Sequence, residues 1–189
     1  MPPRLRPLPR LIVLVGPKGV GKSTLGRILG TQPGVRYLDV EPLFHEALTK
    51  LGGIGPGYAR AGFDAVYREV MDISEDERPD NLVFDTTGTS EEAVALLDRL
   101  ASVQLPGARE EDPPRSFEIR LVRVRASLDV CSARLRGRDP SGHIAVSEER
   151  IRQMHAQTEA LDWDWHLDVD NSGDDPLDAA GRIRALLRL

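Results

Sequence analysis

The apolar run Leu11-Ile12-Val13-Leu14-Val15 passes directly into Gly16-Pro17-Lys18-Gly19-Val20-Gly21-Lys22-Ser23-Thr24, and this junction restricts the fold more than any other part of the chain. An unbroken β-branched run is how a strand covered on both faces of a parallel sheet reads. From Lys22 onward Leu25, Ile28 and Leu29 recur at helical spacing, and the period ends near Gly30. Strand, glycine-rich turn and helix therefore follow in order, the context in which G-x-x-x-x-G-K-[ST] acts as a phosphate cradle. Gly16, Gly19 and Gly21 let the loop fold tightly, so that its N–H groups, Val20 included, and the helix N-terminus face an anion. Lys22 supplies a cation for β- and γ-phosphates, Ser23 a hydroxyl for Mg²⁺, and Thr24 a hydroxyl within reach of an α-phosphate. The expected ligand is ATP with Mg²⁺. Lys18 sits at a free position of the motif and reads as an exposed loop lysine.

The same alternation runs on through the chain. Strands are expected over residues 35–39, 81–85, 117–124 and 165–169, and helices over 42–51, 60–73, 91–100, 128–136, 148–161 and 176–187, with Ser90 capping the fourth helix. Parallel neighbours need crossover connections, so five strands separated by helices imply a three-layer α/β sandwich around a five-stranded parallel sheet. Ligands in such sheets gather at the carboxyl ends of the strands. The proline-rich opening, residues 1–9, reads as a flexible extension, and residues 10–189 as one domain.

Composition narrows the setting. The chain has 189 residues and a formal net charge of −5, which argues against a surface built to coat nucleic acid. Its one cysteine, Cys131, cannot close an intramolecular disulfide and reads as a buried thiol. The opening lacks the apolar stretch of a secretory signal, and LIVLV is too short to span a bilayer, so a cytoplasmic location without membrane attachment is expected. Oligomeric state is left open.

Two acids stand where strands end. Asp85 closes the run NLVFD, which resembles the second element of phosphate-loop proteins, whose carboxylate organises Mg²⁺; alternatively it caps the following turn through Thr87 or Gly88. Asp39 ends the strand next to the phosphate loop, where an acceptor hydroxyl would meet a γ-phosphate, or else it caps the helix beginning at Pro42.

With these residues placed, the chain resembles the P-loop small-molecule kinases, most closely the shikimate kinase and gluconate kinase group, over nearly its whole length. The segments GPKGVGKSTLGRILG and YLDVEPLFHE carry the likeness, with Asp39-Val40-Glu41 where the group has Asp-x-Asp. The resemblance implies a kinase fold with a lid at about 137–147, and γ-phosphate transfer from ATP to a hydroxyl of a small polar acceptor. It makes Asp39 the base and a helper of Mg²⁺, with Glu41 beside it at the acceptor. Arg68 resembles the arginine that grips the acceptor, although an arginine on an exposed helix face is equally ordinary. Thr86-Thr87-Gly88 stands where the group has three glycines against the substrate, which puts shikimate itself in doubt. In ARLRGRDPSGHI the resemblance places Arg134 on the adenine and Arg138 on the transferring phosphate, while Asn171 opens the adenine loop. Arginines near a helix C-terminus also favour its dipole without any ligand. Two other readings compete: a nucleoside or polynucleotide 5′-hydroxyl kinase, and an ATP-binding regulatory switch.

Overall fold

The computed structural model describes residues 8–105, 114–137, 147–173 and 175–187. Five strands, β1 (Arg10–Val15), β2 (Val35–Leu38), β3 (Asn81–Thr86), β4 (Glu118–Arg125) and β5 (Leu167–Asp170), form one sheet in the order β2-β3-β1-β4-β5. Every pairing is parallel. Seven helices connect them among the described residues: α1 (Lys22–Leu29), α2 (Glu41–Leu51), α3 (Tyr58–Asp76), α4 (Glu91–Ala101), α5 (Leu128–Arg136), α6 (Glu148–Glu159) and α7 (Pro176–Leu187). The chain leaves central β1, crosses to β2 and β3 on one side, and reaches β4 and β5 on the other. The β1–α1 loop therefore lies at the topological switch point, where such sheets open a crevice.

Alternation along β1 explains why its run is apolar throughout. Ile12 and Leu14 face one layer with Leu25 and Leu29 of α1 and Ala179, Ala180 and Ile183 of α7. Leu11, Val13 and Val15 face the other with Val66, Val70 and Ile73 of α3 and Leu96 and Leu100 of α4. Each such side chain contributes roughly 1.5–3 kcal/mol on burial, so the strand carrying the loop is anchored from both sides. Serines start three helices: Ser90, Ser127 and Ser147 accept from the backbone N–H of Ala93, Val130 and Arg150.

The fifth strand begins at Leu167, two residues later than its apolar pattern suggests. Trp163 and Trp165, with ring centroids 5.4 Å apart, turn onto the sheet layer that α3 and α4 cover elsewhere, and the Arg123 guanidinium lies 5.6 Å from the Trp165 ring. Side-chain cover there takes precedence over ladder pairing. Leu8, within the expected extension, is buried in the same layer. Most of the expected lid, residues 138–146, lies outside the described residues, as do residues 1–7. No described helix is long and apolar enough to cross a membrane.

Candidate active site

Gly21 forms the N-cap of α1 in the left-handed region, at φ 94°, and a Cβ there would lie 2.5 Å from Asn171 Nδ2. Only glycine meets both demands without strain. The loop rests so closely on β4 and α5 that a Cβ on Gly16 or Gly19 would meet the carbonyl oxygens of Val124 and Cys131 at 2.4 and 2.5 Å. Gly16 N donates to Thr86 O at 3.2 Å, which ties the loop to β3 as well. Because α1 starts at Lys22, the N–H groups of Lys22, Ser23 and Thr24 have no intrahelical acceptor, and they add to the positive end of the helix dipole. Lys22 is buried, and its Nζ donates to Gly16 O at 2.8 Å and Pro17 O at 3.0 Å. These carbonyls help to hold the ammonium over the loop, and an arriving anion would bind it more strongly than a carbonyl does.

The acids converge beside this loop. Burial pushes the Asp85 carboxyl above the usual carboxylate range; Lys22 and a hydrogen bond from Tyr37 oppose the shift, and Asp39 and Glu41 add to it. Lys22, Asp85, Asp39 and Glu41 thus share one electrostatic neighbourhood. Tyr37 Oη donates to Asp85 Oδ1 at 2.7 Å. The cap of the turn after β3 belongs to Thr86, whose Oγ1 accepts from Gly88 N at 3.1 Å. Asp39 Oδ2 accepts from Arg27 Nη2 at 2.8 Å, and its Oδ1 accepts from Glu41 N at 3.3 Å, so one carboxylate both supports the start of α2 and faces the loop's neighbourhood. Lys18 differs from its expected exposure: it is largely covered and pairs with Glu41 at 3.5 Å, because α2 brings Glu41 over the loop. Among the described residues no three His, Cys, Asp or Glu side chains form a metal cage. Mg²⁺ is commonly held by one or two protein groups plus phosphate, so the small donor set is no obstacle.

Arg134 and Asn171 lie on the opposite flank of the loop. Arg134 donates to Asn171 O at 2.8 Å and Gly173 O at 2.7 Å, while Asn171 Nδ2 donates to Val20 O at 2.7 Å. These in-plane bonds fix the guanidinium by its edge. Arg136 pairs instead with Glu148 of α6 at 3.8 Å. Arg138 lies outside the described residues.

The remaining expected acceptor residues are spread out. Arg68 is exposed on α3, and its Nε donates to Asp64 O of the same helix. Its charge reaches Glu46 of α2. The Thr87 hydroxyl lies 3.3 Å from that of Thr89, and Thr87 O accepts from Thr158 of α6 at 3.5 Å. Gly88, at φ 71°, is wedged where a Cβ would come within 2.7 Å of Val15 and 2.9 Å of Trp163. Its missing side chain admits the aromatic cover.

Tyr37 is the participant that sequence reasoning passed over. A signal existed in Gly26, a buried glycine in the middle of α1, away from its caps. A Cβ there would stand 2.2 Å from the Tyr37 ring.

A family model described as an AAA domain matches residues 11–161. No protein of curated function matches the sequence at a significant level. Among solved structures, the fold is similar to a gluconokinase from Sinorhizobium meliloti 1021 (TM-score 0.64, 16% identity, covering 97% of this chain and 94% of that one). It is also similar to a shikimate kinase from Acinetobacter baumannii in complex with shikimate (TM-score 0.61, 18% identity, covering 95% and 93%). A chain of the Pnkp1/Rnl/Hen1 RNA repair complex matches more partially (TM-score 0.58, 16% identity, covering 82% of this chain and 45% of that one). At such identities the likeness concerns the fold: a five-stranded parallel sheet flanked by helices, as in P-loop kinases. The phosphate loop at the switch point, the strand order and the family match agree, and the chain belongs to the AAA domain family of P-loop proteins.

Proposed function

We propose that the protein is an ATP-dependent kinase that transfers the γ-phosphate to a hydroxyl of a small polar metabolite. The observation that carries this reading is Asp39, an acid held by Arg27 at the carboxyl edge of the sheet in the electrostatic neighbourhood of Asp85 and Lys22. The ion pair with Arg27 and the bond from Glu41 N hold this carboxylate in place, as a base that meets an acceptor hydroxyl requires.

The loop residues fit ATP with Mg²⁺. The glycines Gly16, Gly19 and Gly21 leave no side chain in the cradle, Val20 and the first amides of α1 line it, and Ser23 and Asp85 offer oxygen donors suited to a hard cation. When bound, ATP supplies the γ-phosphoryl group and Mg²⁺ neutralises part of its charge. Lys22 would turn from the Gly16 and Pro17 carbonyls to β- and γ-oxygens. Ser23, Asp85 and Asp39 would stand on the cation side, Thr24 near the α-phosphate, and Arg134, fixed at its edge, would offer a flat face to the adenine beside Asn171. Asp39 would receive the proton of the acceptor hydroxyl as its oxygen bonds to phosphorus and the bond to ADP breaks; the proton then passes to solvent. Glu41, Thr87, Gly88 and Arg68 mark the acceptor side, and Arg138 is assigned to the lid on resemblance alone.

The test is ADP release in the presence of hydroxylated acids, sugars, nucleosides and 5′-hydroxyl oligonucleotides. Stimulation by one small-molecule class is expected. Asp39→Asn should then lower kcat by about 10²–10⁴-fold, with a smaller loss of Mg²⁺-dependent nucleotide affinity and none in EDTA. Normal turnover in Asp39→Asn would remove the proposed base, and stimulation by oligonucleotides alone would favour the polynucleotide reading.

A further inference from the structure

We propose that Tyr37 is the positioning residue of the Mg²⁺ side of this site: its phenol holds the Asp85 carboxylate in the orientation that a cation bound beside Ser23 requires. The inference rests on the ATP–Mg²⁺ reading above and adds a residue with no place in the phosphate-loop motif.

Tyr37 and Asp85 lie on adjacent strands. Tyr37 pairs in register with Val83, so Tyr37, Val83 and Asp85 present their side chains to the same layer, the one filled by α1. The ring is buried against α1 at Gly26, and Gly30 also approaches the Tyr37 Cβ. A glycine inside a helix costs about 1 kcal/mol relative to alanine, and here it provides the seat for the ring. The seat is rigid, so the phenol oxygen has little freedom to move.

A phenol has one proton to give, and this one goes to Asp85 Oδ1 at 2.7 Å. The bond engages one Oδ1 lone pair and restrains rotation of the carboxylate, leaving Oδ2 and the second Oδ1 lone pair for a cation or its water. The Ser23 hydroxyl belongs to the same neighbourhood, since it is among the groups that act on the Tyr37 phenol. On binding, Ser23 has to turn a lone pair to the cation, while the Tyr37–Asp85 bond can persist. Groups that orient a metal ligand in this way typically contribute about 10–100-fold to metal affinity.

The variant is Tyr37→Phe, which keeps the ring on Gly26 and deletes only the donor. ATP binding is measured by calorimetry in Mg²⁺ and in EDTA, together with the Mg²⁺ concentration for half-saturation. The expected result is a loss of about tenfold in Mg²⁺-dependent affinity, with affinity in EDTA essentially unchanged. In an Asp85→Ala background, the same substitution should add no further loss. Equal losses with and without metal would mean a structural role and overturn the inference, as would an unaltered Mg²⁺ requirement. Wild-type protein whose ATP affinity ignores Mg²⁺ would overturn the underlying reading and this inference with it. If Tyr37→Phe does not fold, wild-type protein carrying 3-fluorotyrosine replaces it. One of its three tyrosine ¹⁹F resonances, assigned to Tyr37 by Tyr58→Phe and Tyr67→Phe, should move when Mg²⁺ joins bound ATP. A Tyr37 resonance that ignores the metal would overturn the proposal.

Discussion

At the scale of single residues, the site is held under electrostatic tension. Asp85 has a carboxyl pushed upward mainly by burial, with Lys22 and Tyr37 compensating only in part. A carboxyl raised above its unfolded value lowers stability wherever the folded protein must keep it ionised, and the penalty vanishes once both states are protonated. Asp85→Asn should therefore raise the melting temperature of the ligand-free protein near pH 7, by about 2–4 °C for each kcal/mol relieved. The gain should shrink as the pH falls through the raised pKa and disappear below about pH 4. Thermal scans across pH would check this, and a lower melting temperature near pH 7 would contradict it. The same substitution should weaken Mg²⁺-dependent ATP binding. The motif residues of the loop were legible because their spacing along the chain is itself the signal. Lys18 and Tyr37 were not, since their partners Glu41 and Asp85 lie 23 and 48 residues away, and only the packing of α2 and the β2–β3 register brings them together.

At the scale of elements, α1 carries an exchange between helix propensity and packing. Gly26→Ala in an exposed helix would be stabilising. Here the new Cβ would stand 2.2 Å from the Tyr37 ring, so overpacking should outweigh propensity and lower stability by about 1–3 kcal/mol. Urea denaturation would measure it. In a Tyr37→Ala background the same change should lose its cost, because the ring is gone; an additive result would place the strain elsewhere. Element type and order followed readily from the sequence: α5 and α7 occupy the spans their periodicity indicates, and β1, β3 and β4 are displaced by one residue at most. The discrepancy at β5 has a tertiary cause. Trp163 and Trp165 alternate like strand residues, yet their rings are spent covering the sheet before the ladder starts, and Gly88 leaves room for Trp163.

At the scale of the whole molecule, the nucleotide loop is supported from both sides of β1: Thr86 at the end of β3, Val124 of β4, Cys131 of α5 and Asn171 after β5 all approach it. Ligand at the loop should therefore stabilise the entire fold rather than one segment. At a hundredfold excess of ATP–Mg²⁺ over its dissociation constant the gain should be about 2.7 kcal/mol, read as a single sharpened melting transition and as slowed amide exchange reaching α7. Protection confined to α1 would contradict it. The Arg134–Asn171–Val20 clasp has a further bearing on biosynthesis. The two donors that hold the Val20 carbonyl are specified 114 and 151 residues after it. During translation the motif emerges early but stays without its clasp until the last strand has left the ribosome, so a nascent chain arrested before Asn171 should not retain ATP. Nucleotide capture would then mark the moment at which the sheet is complete.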